Sequence, residues 1–373
     1  MVLDGEHITD VVAGPRAGGA ATHFDLSNHY IVPGFIDVHV HGVEGVDTLD
    51  GGDAIRTMSQ RMPRFGVTAF CPTTIACAPA ALRGMLAAVR AARVNPVPAG
   101  ARVLPAHLES NFINPEFKGA QPLECLRAPR GESPEGEFRG AEILDEIAAA
   151  RPDVGIITVA PELDGALDLI RDLSAHGHHI SLGHSGASYE QGMAGIEAGA
   201  RQATHLFNRM PPLGHRQPGL AGAVLEHEDV TAEVVCDGAH VHPSMVRFAI
   251  AAKQPSRIMA ITDGTAGSGL PRGTRSVIGG RPITVGDVAN LEDGTIAGSV
   301  LTMDRAFAKL VTTMGLSLVD AVTVCATTPA RALKLQGLGV ISPGAIADLA
   351  VLDRDLRVVH TFMAGSLVWS RHA

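Results

Sequence analysis

A chain of 373 residues, 46% hydrophobic and 18% charged, carries enough apolar side chain to fold and too much to stay disordered. Its length allows one large domain or two ordinary ones. A formal charge of -9 argues against a nucleic-acid surface, although a few placed cations could still hold a small anion. Five scattered cysteines (Cys71, Cys77, Cys125, Cys236 and Cys325) form no CxxC pair and predict reduced thiols in a cytoplasmic protein. The acidic opening Met1 to His7 lacks the apolar stretch of a signal peptide, and no apolar run is long enough to span a bilayer.

In chain order, Ile8 to Val12 and His29 to Val32 read as short strands separated by a segment that opens with the Gly/Ala-rich Ala13 to Ala21. Eight β-branched runs follow, each ending in a polar or small residue before a loop and a helix-like stretch. They are Phe35 to His41, Val67 to Thr74, Arg102 to Glu109, Gly155 to Glu162, His179 to His184, Gln202 to Asn208, Val230 to Asp237 and Arg257 to Asp263. Leu82, Met85, Leu86 and Val89 recur at the spacing of one helix face, and Thr328-Pro329 predicts a capped helix start. Alternating strands and helices predict a parallel sheet, and eight units predict a closed (β/α)8 barrel of the TIM type. An open doubly wound sheet is the alternative, but no glycine-rich nucleotide fingerprint follows the first strand. Near the end, Asp348 to Leu352, Val358 to Met363 and Ser366 to Trp369 read as strands. Neither terminus can build a core alone, so both are expected to join in one small β-sandwich. The expected division is 1–32 plus 338–373 for that domain and 33–337 for the barrel.

Within Phe35 to Gly42, Asp37, His39 and His41 alternate with Ile36, Val38 and Val40, so the two imidazoles share a face. In a barrel, side chains at the strand ends converge on one rim. That rim would gather His39, His41, Glu109, His184, His205 and Asp263. Four imidazoles and a carboxylate suit one or two divalent ions such as zinc, iron, cobalt or manganese. Two ions need a bridging ligand, for which Glu109 is placed, and Asp263 is placed to exchange protons with water. His107 and Asp37 share these faces and are expected to support the ligands from behind. His176, His178 and His179 precede the fifth strand on the opposite rim and are expected to be solvated. Each residue alone has a duller reading as a packed polar side chain; the weight comes from six strand-end placements together.

These residues resemble the amidohydrolase superfamily, and within it the N-acetylglucosamine-6-phosphate deacetylase group, over nearly the whole chain. The resemblance rests on Pro33 to Gly42, His107-Leu108-Glu109, Gly183-His184-Ser185, Thr204 to Asn208 with Met210-Pro211-Pro212, Arg216 to Leu220, Asp237 to Val241, Thr262-Asp263, Gly298 to Met303 and Pro343 to Asp348. It implies metal ligands at Glu109, His184 and His205, with His39 and His41 favouring a second ion. It implies Asp263 as general base and acid, and His240 beside the acetyl carbonyl. Arg216 would reach a sugar phosphate from the neighbouring subunit of a homodimer, with Asn208 and the backbone after it also facing the phosphate. Further substrate contacts are implied at Arg209, Gln121 and Met303.

Three positions depart from the group's pattern: Ser110-Asn111 replaces Gly-Pro, Gln121 replaces a substrate-contacting histidine, and Arg209 replaces a small residue. The segment Ser110 to Arg139 is long enough to serve as a lid. The expected substrate is therefore a phosphorylated amino sugar, with neither nucleic acid nor membrane as partner. Other readings are an amidohydrolase acting on another acetylated sugar or a cyclic amide, and a barrel that has lost activity. Many cyclic-amide relatives use a lysine on the fourth strand, and Gly155 to Glu162 has none.

Overall fold

The computed structural model describes residues 1–12, 14, 22–131 and 136–371. Apart from Gly14, the Gly/Ala-rich stretch at 13–21 lies outside them. Eight parallel strands run in sequence order: β1 Phe35–Val40, β2 Val67–Thr74, β3 Ala106–Leu108, β4 Val154–Val159, β5 His179–Leu182, β6 Gln202–Ala203, β7 Thr231–Val235 and β8 Ile258–Ile261. The ring closes just beyond the ends of β8 and β1. There Asp263 N–H donates to the His39 carbonyl at 2.9 Å and His41 N–H to the Gly264 carbonyl at 2.8 Å. Below this seam the Thr262 hydroxyl donates to buried Asp37, whose carboxylate also accepts the amides of His39 and Thr262. Asp37 is thus a strap between the first and last strands, two residues before His39 on β1. Burial pushes its carboxyl up to about 6 despite these donors. Thr262→Val would strand this buried acceptor, and we expect a loss of about 1–3 kcal/mol, read from the urea midpoint at unchanged m-value.

The outer layer follows the periodicity of the sequence. Helix Pro79–Val94 begins with proline in its first turn and buries Leu82, Met85, Leu86 and Val89 against the sheet. Each such side chain contributes roughly 1.5–3 kcal/mol by leaving water. Inside the ring, β1 and β2 are buried along their whole length, as both faces are covered.

The two chain ends meet in one small β unit. Tyr30–Pro33 pairs antiparallel with Leu349–Leu352, which continues to Val358–Met363 and Ser366–Ser370. The hairpin Val2–Asp4/His7–Asp10 packs over this sheet, and Ile8, Leu349, Val351, Val359 and Phe362 form a second small core between them.

Three expectations need correction, and one element was not foreseen. The third run is two strands, Arg102–Val103 and Ala106–Leu108, because Pro105 has no N–H for the ladder and divides it. The sixth run is a strand only at Gln202–Ala203; Thr204 to Arg209 turn sharply away. Thr328 caps nothing. It lies within a continuous helical run, Leu318–Val322, Thr323–Thr327 and Thr328–Ala332, whose middle piece widens into π geometry just ahead of Pro329. That wider turn accommodates a residue with no N–H and a ring that crowds the preceding turn. Finally, a three-stranded antiparallel sheet (Arg275–Ile278, Arg281–Val285, Ala289–Leu291) is inserted after β8, and Ile278 from it reaches the active rim.

Candidate active site and metal centre

At the C-terminal rim lies a cavity of about 430 Å³, a volume that suits a small ligand. Two groups of ligand atoms stand at its floor. In the first, Glu109 Oε1 lies 2.8 Å from Nε2 of both His184 and His205, and those nitrogens are 3.0 Å apart. In the second, His39 and His41 Nε2 are 3.2 Å apart, and Asp263 Oδ1 is 3.5 and 3.2 Å from them. The other Glu109 oxygen is 3.5 Å from His41 Nε2, so one carboxylate reaches both groups. All six side chains are nearly out of solvent.

The donor chemistry fits a cation. His184 Nδ1 faces the Phe117 carbonyl at 2.8 Å and His39 Nδ1 faces Glu233 Oε2 at 2.9 Å. Both partners only accept, so each neutral ring keeps its hydrogen on Nδ1 and turns a lone pair inward. Nitrogen lone pairs 3.0–3.2 Å apart and flanked by carboxylates repel unless positive charge lies among them. Burial disfavours a charged His39, but Glu233, Asp263 and Glu109 outweigh it and push the imidazole up to about 10. Where no ion is bound, that proton supplies the positive charge; a divalent ion displaces it. Burial likewise opposes the Glu109 charge, yet the facing histidines, His184 first, hold its carboxyl well below the usual range. Asp263 is held low against burial by the His41 hydrogen bond and by His39.

Three of these residues occupy backbone that side chains rarely choose. His184, His205 and Asp263 have φ of 47°, 29° and 49°. Each is the second residue past the end of its strand, and the left-handed step turns the side chain from the barrel wall into the rim. Neighbours hold the turns: Glu162 accepts from Ser185 Oγ and Gly186 N–H beyond His184, and Leu206 N–H donates to the Glu233 carbonyl beyond His205.

His240 stands across the cavity. Its Nδ1 is 2.6 Å from Asp237 Oδ2, while Asp237 Oδ1 accepts the backbone N–H groups of Ala239 and His240. Burial disfavours protonation of His240, but the Asp237 carboxylate prevails and raises its pKa. Asn208 and Arg209 also line the cavity, and Arg209 is the one Lys or Arg to do so among the described residues. Its guanidinium lies over Gly119 (φ +59°), where an added Cβ would come within 2.6 Å of Nε. Gln121 reaches the floor: its carbonyl accepts Ala76 N–H, which fixes the amide orientation, and its NH2 donates to Glu109 Oε2. Glu116, Phe117, Ala120 and Gln121 wall one side of the cavity.

The amidohydrolase family profile matches residues 30–368. The chain belongs to that family. It is 35% identical over 341 residues to the N-acetylglucosamine-6-phosphate deacetylase of Vibrio furnissii, covering 91% of this chain and 83% of the relative. It is 33% identical over 341 residues to the N-acetylgalactosamine-6-phosphate deacetylase of Escherichia coli O157:H7, covering 90% and 87%. Its fold matches a variant of the Mycobacterium smegmatis N-acetyl-D-glucosamine-6-phosphate deacetylase solved in complex with N-acetyl-D-glucosamine-6-phosphate. That match has a TM-score of 0.88 at 32% identity and covers 99% of this chain and 94% of the other. This amidohydrolase therefore groups with the N-acetylglucosamine-6-phosphate deacetylases, hydrolases of carbon–nitrogen bonds other than peptide bonds.

Some residues of this amidohydrolase do not stand where its sequence suggested. Met303 is buried at the start of helix Met303–Thr312, among core residues and away from the cavity lining. Arg216 is exposed and does not line the cavity of its own chain. Of the three histidines expected in solvent only His176 is there. His178 is buried with Nδ1 3.1 Å from the Val154 carbonyl, and His179 is half-buried, burial lowering its pKa to about 4. His107 lies deeper than Glu109, its ring between the Val38 carbonyl and the Thr158 hydroxyl, and burial lowers its pKa to about 4. Glu233, Asp237 and Glu162 were not singled out. A lone acid inside the apolar run Thr231–Val235 is the signal that marks Glu233, since only an inward, hydrogen-bonded carboxylate survives there.

Proposed function

We propose that this enzyme hydrolyses the N-acetyl amide of N-acetylglucosamine 6-phosphate to the free amine and acetate at a two-ion centre. Glu109, His184 and His205 would hold one ion and His39, His41 and Asp263 the other, with Glu109 between them. The observation that carries the reading is the convergence of both ligand groups, Asp263 and His240 on one cavity. Zinc and iron suit these donors best, with cobalt or manganese as substitutes. When bound, a divalent ion supplies Lewis acidity, making water a nucleophile near neutral pH and polarising the acetyl carbonyl.

The chain's own groups complete the reaction. Asp263, ionised and facing the cavity, takes the proton of the attacking water. It then delivers that proton to the sugar nitrogen, because an amine leaves poorly unless protonated. His240, its Nδ1–H held by Asp237, presents Nε2–H to the oxygen on which negative charge develops. The phosphate lies away from the reacting carbon and fixes the substrate's position. Arg209 alone cannot neutralise a doubly charged phosphate, and the exposed Arg216 fits the role of a second cation entering the same cavity from a partner subunit.

The test is an acetate-release assay on N-acetylglucosamine and N-acetylgalactosamine, each with and without the 6-phosphate. We expect turnover to require the phosphate. Arg216→Ala should raise KM at least about tenfold, the loss of one charge-assisted contact, with a smaller change in kcat. Equal turnover of the unphosphorylated sugar would remove the phosphate from the proposal. Preference for the galactosamine epimer would revise the sugar alone.

A further inference from the structure

We infer that Glu233 is a positioning residue that holds the second metal position by fixing His39; this rests on the two-ion reading above. Glu233 is fully buried inside the barrel, on β7, and does not touch the cavity. Its carboxylate is surrounded by donors. Oε2 accepts His39 Nδ1–H at 2.9 Å and the His205 backbone N–H at 3.3 Å, and Oε1 accepts the Gln202 side-chain amide. His107, 3.8 Å away, has its own partners in the Val38 carbonyl and the Thr158 hydroxyl.

This arrangement sets His39 apart from the other imidazoles of the centre. His184 leans on a neutral carbonyl, and among the described residues Nδ1 of His41 and of His205 has no hydrogen-bond partner. Among the described residues, His39 alone of these imidazoles is backed by a carboxylate, which fixes its tautomer, aims its Nε2 at the His41 and Asp263 ligands and makes that nitrogen a stronger donor. The His205 turn depends on Glu233 less. Leu206 N–H bonds the backbone carbonyl of Glu233, which survives any side-chain change. Removing the carboxylate should therefore weaken one position of the pair and spare the Glu109, His184 and His205 group.

The experiment uses the full chain purified with its metal, dialysed against graded chelator, with bound ions counted by elemental analysis. Wild type should release its two ions in two steps. Glu233→Gln, close in shape but uncharged, should release one ion at roughly 10- to 100-fold lower chelator strength, the usual effect of such a carboxylate, and retain the other as wild type does. Glu233→Asp should restore part of the difference. Two ions held as tightly in Glu233→Gln as in wild type would overturn the inference, as would both ions leaving together, which is the mark of a purely structural role. A wild-type protein that holds one ion at saturation would instead sink the two-ion reading beneath it.

Discussion

Asp263→Asn is expected to lower kcat by on the order of 10²–10⁴-fold, the range for removing a positioned acid–base group, with KM changed little. The carboxylate faces the cavity from the end of β8 and is held ionised by His41 and His39 against the cost of burial. Asparagine keeps the shape and an oxygen toward the histidines but cannot carry a proton from water to the sugar nitrogen. Steady-state kinetics across pH provide the check: the acidic limb of the kcat profile should disappear in the variant. Activity within about threefold of wild type would remove Asp263 from proton transfer.

Glu109→Gln should have the second large effect, this time on the centre itself. One oxygen of Glu109 contacts His184 and His205, and the other approaches His41 and accepts the Gln121 amide. A glutamine there replaces an anion with a neutral group and turns an NH2 toward at least one set of inward lone pairs or toward the Gln121 NH2. Affinity for both ions should fall by more than the 10- to 100-fold typical of a supporting residue. Elemental analysis of dialysed protein should find less than one ion per chain, with catalysis reduced in parallel. Full retention of two ions would show that this carboxylate does not bridge.

The barrel was legible because short β-branched runs, each followed by a loop and a helix-like stretch, recur eight times. His39 and His41 were legible from their spacing: two polar residues spaced by one β-branched neighbour must share a face. Their convergence with Glu109, His184, His205 and Asp263 followed once a closed barrel brought its strand ends together. What stayed hidden is what no local pattern encodes. His205 sits in a turn whose left-handed backbone no glycine announces. Glu233 works on a histidine 194 residues away, a distance that only the fold closes. The strands of Arg275–Leu291 form a sheet apart from the barrel, and nothing in their pattern says that it reaches the rim. Met303 misled because the last residue of a matching motif can still pack by its own apolar side chain, and there the core took it.

The backbone at His184, His205 and Asp263 also limits how this catalyst can be re-engineered. In a randomised pool covering those three codons, folding would act as a sieve before chemistry does. Asparagine, aspartate and glycine accept such a backbone, whereas valine, isoleucine and threonine resist it. The survivors should be dominated by small polar residues regardless of the reaction selected, so new activities would have to come from the surrounding loops.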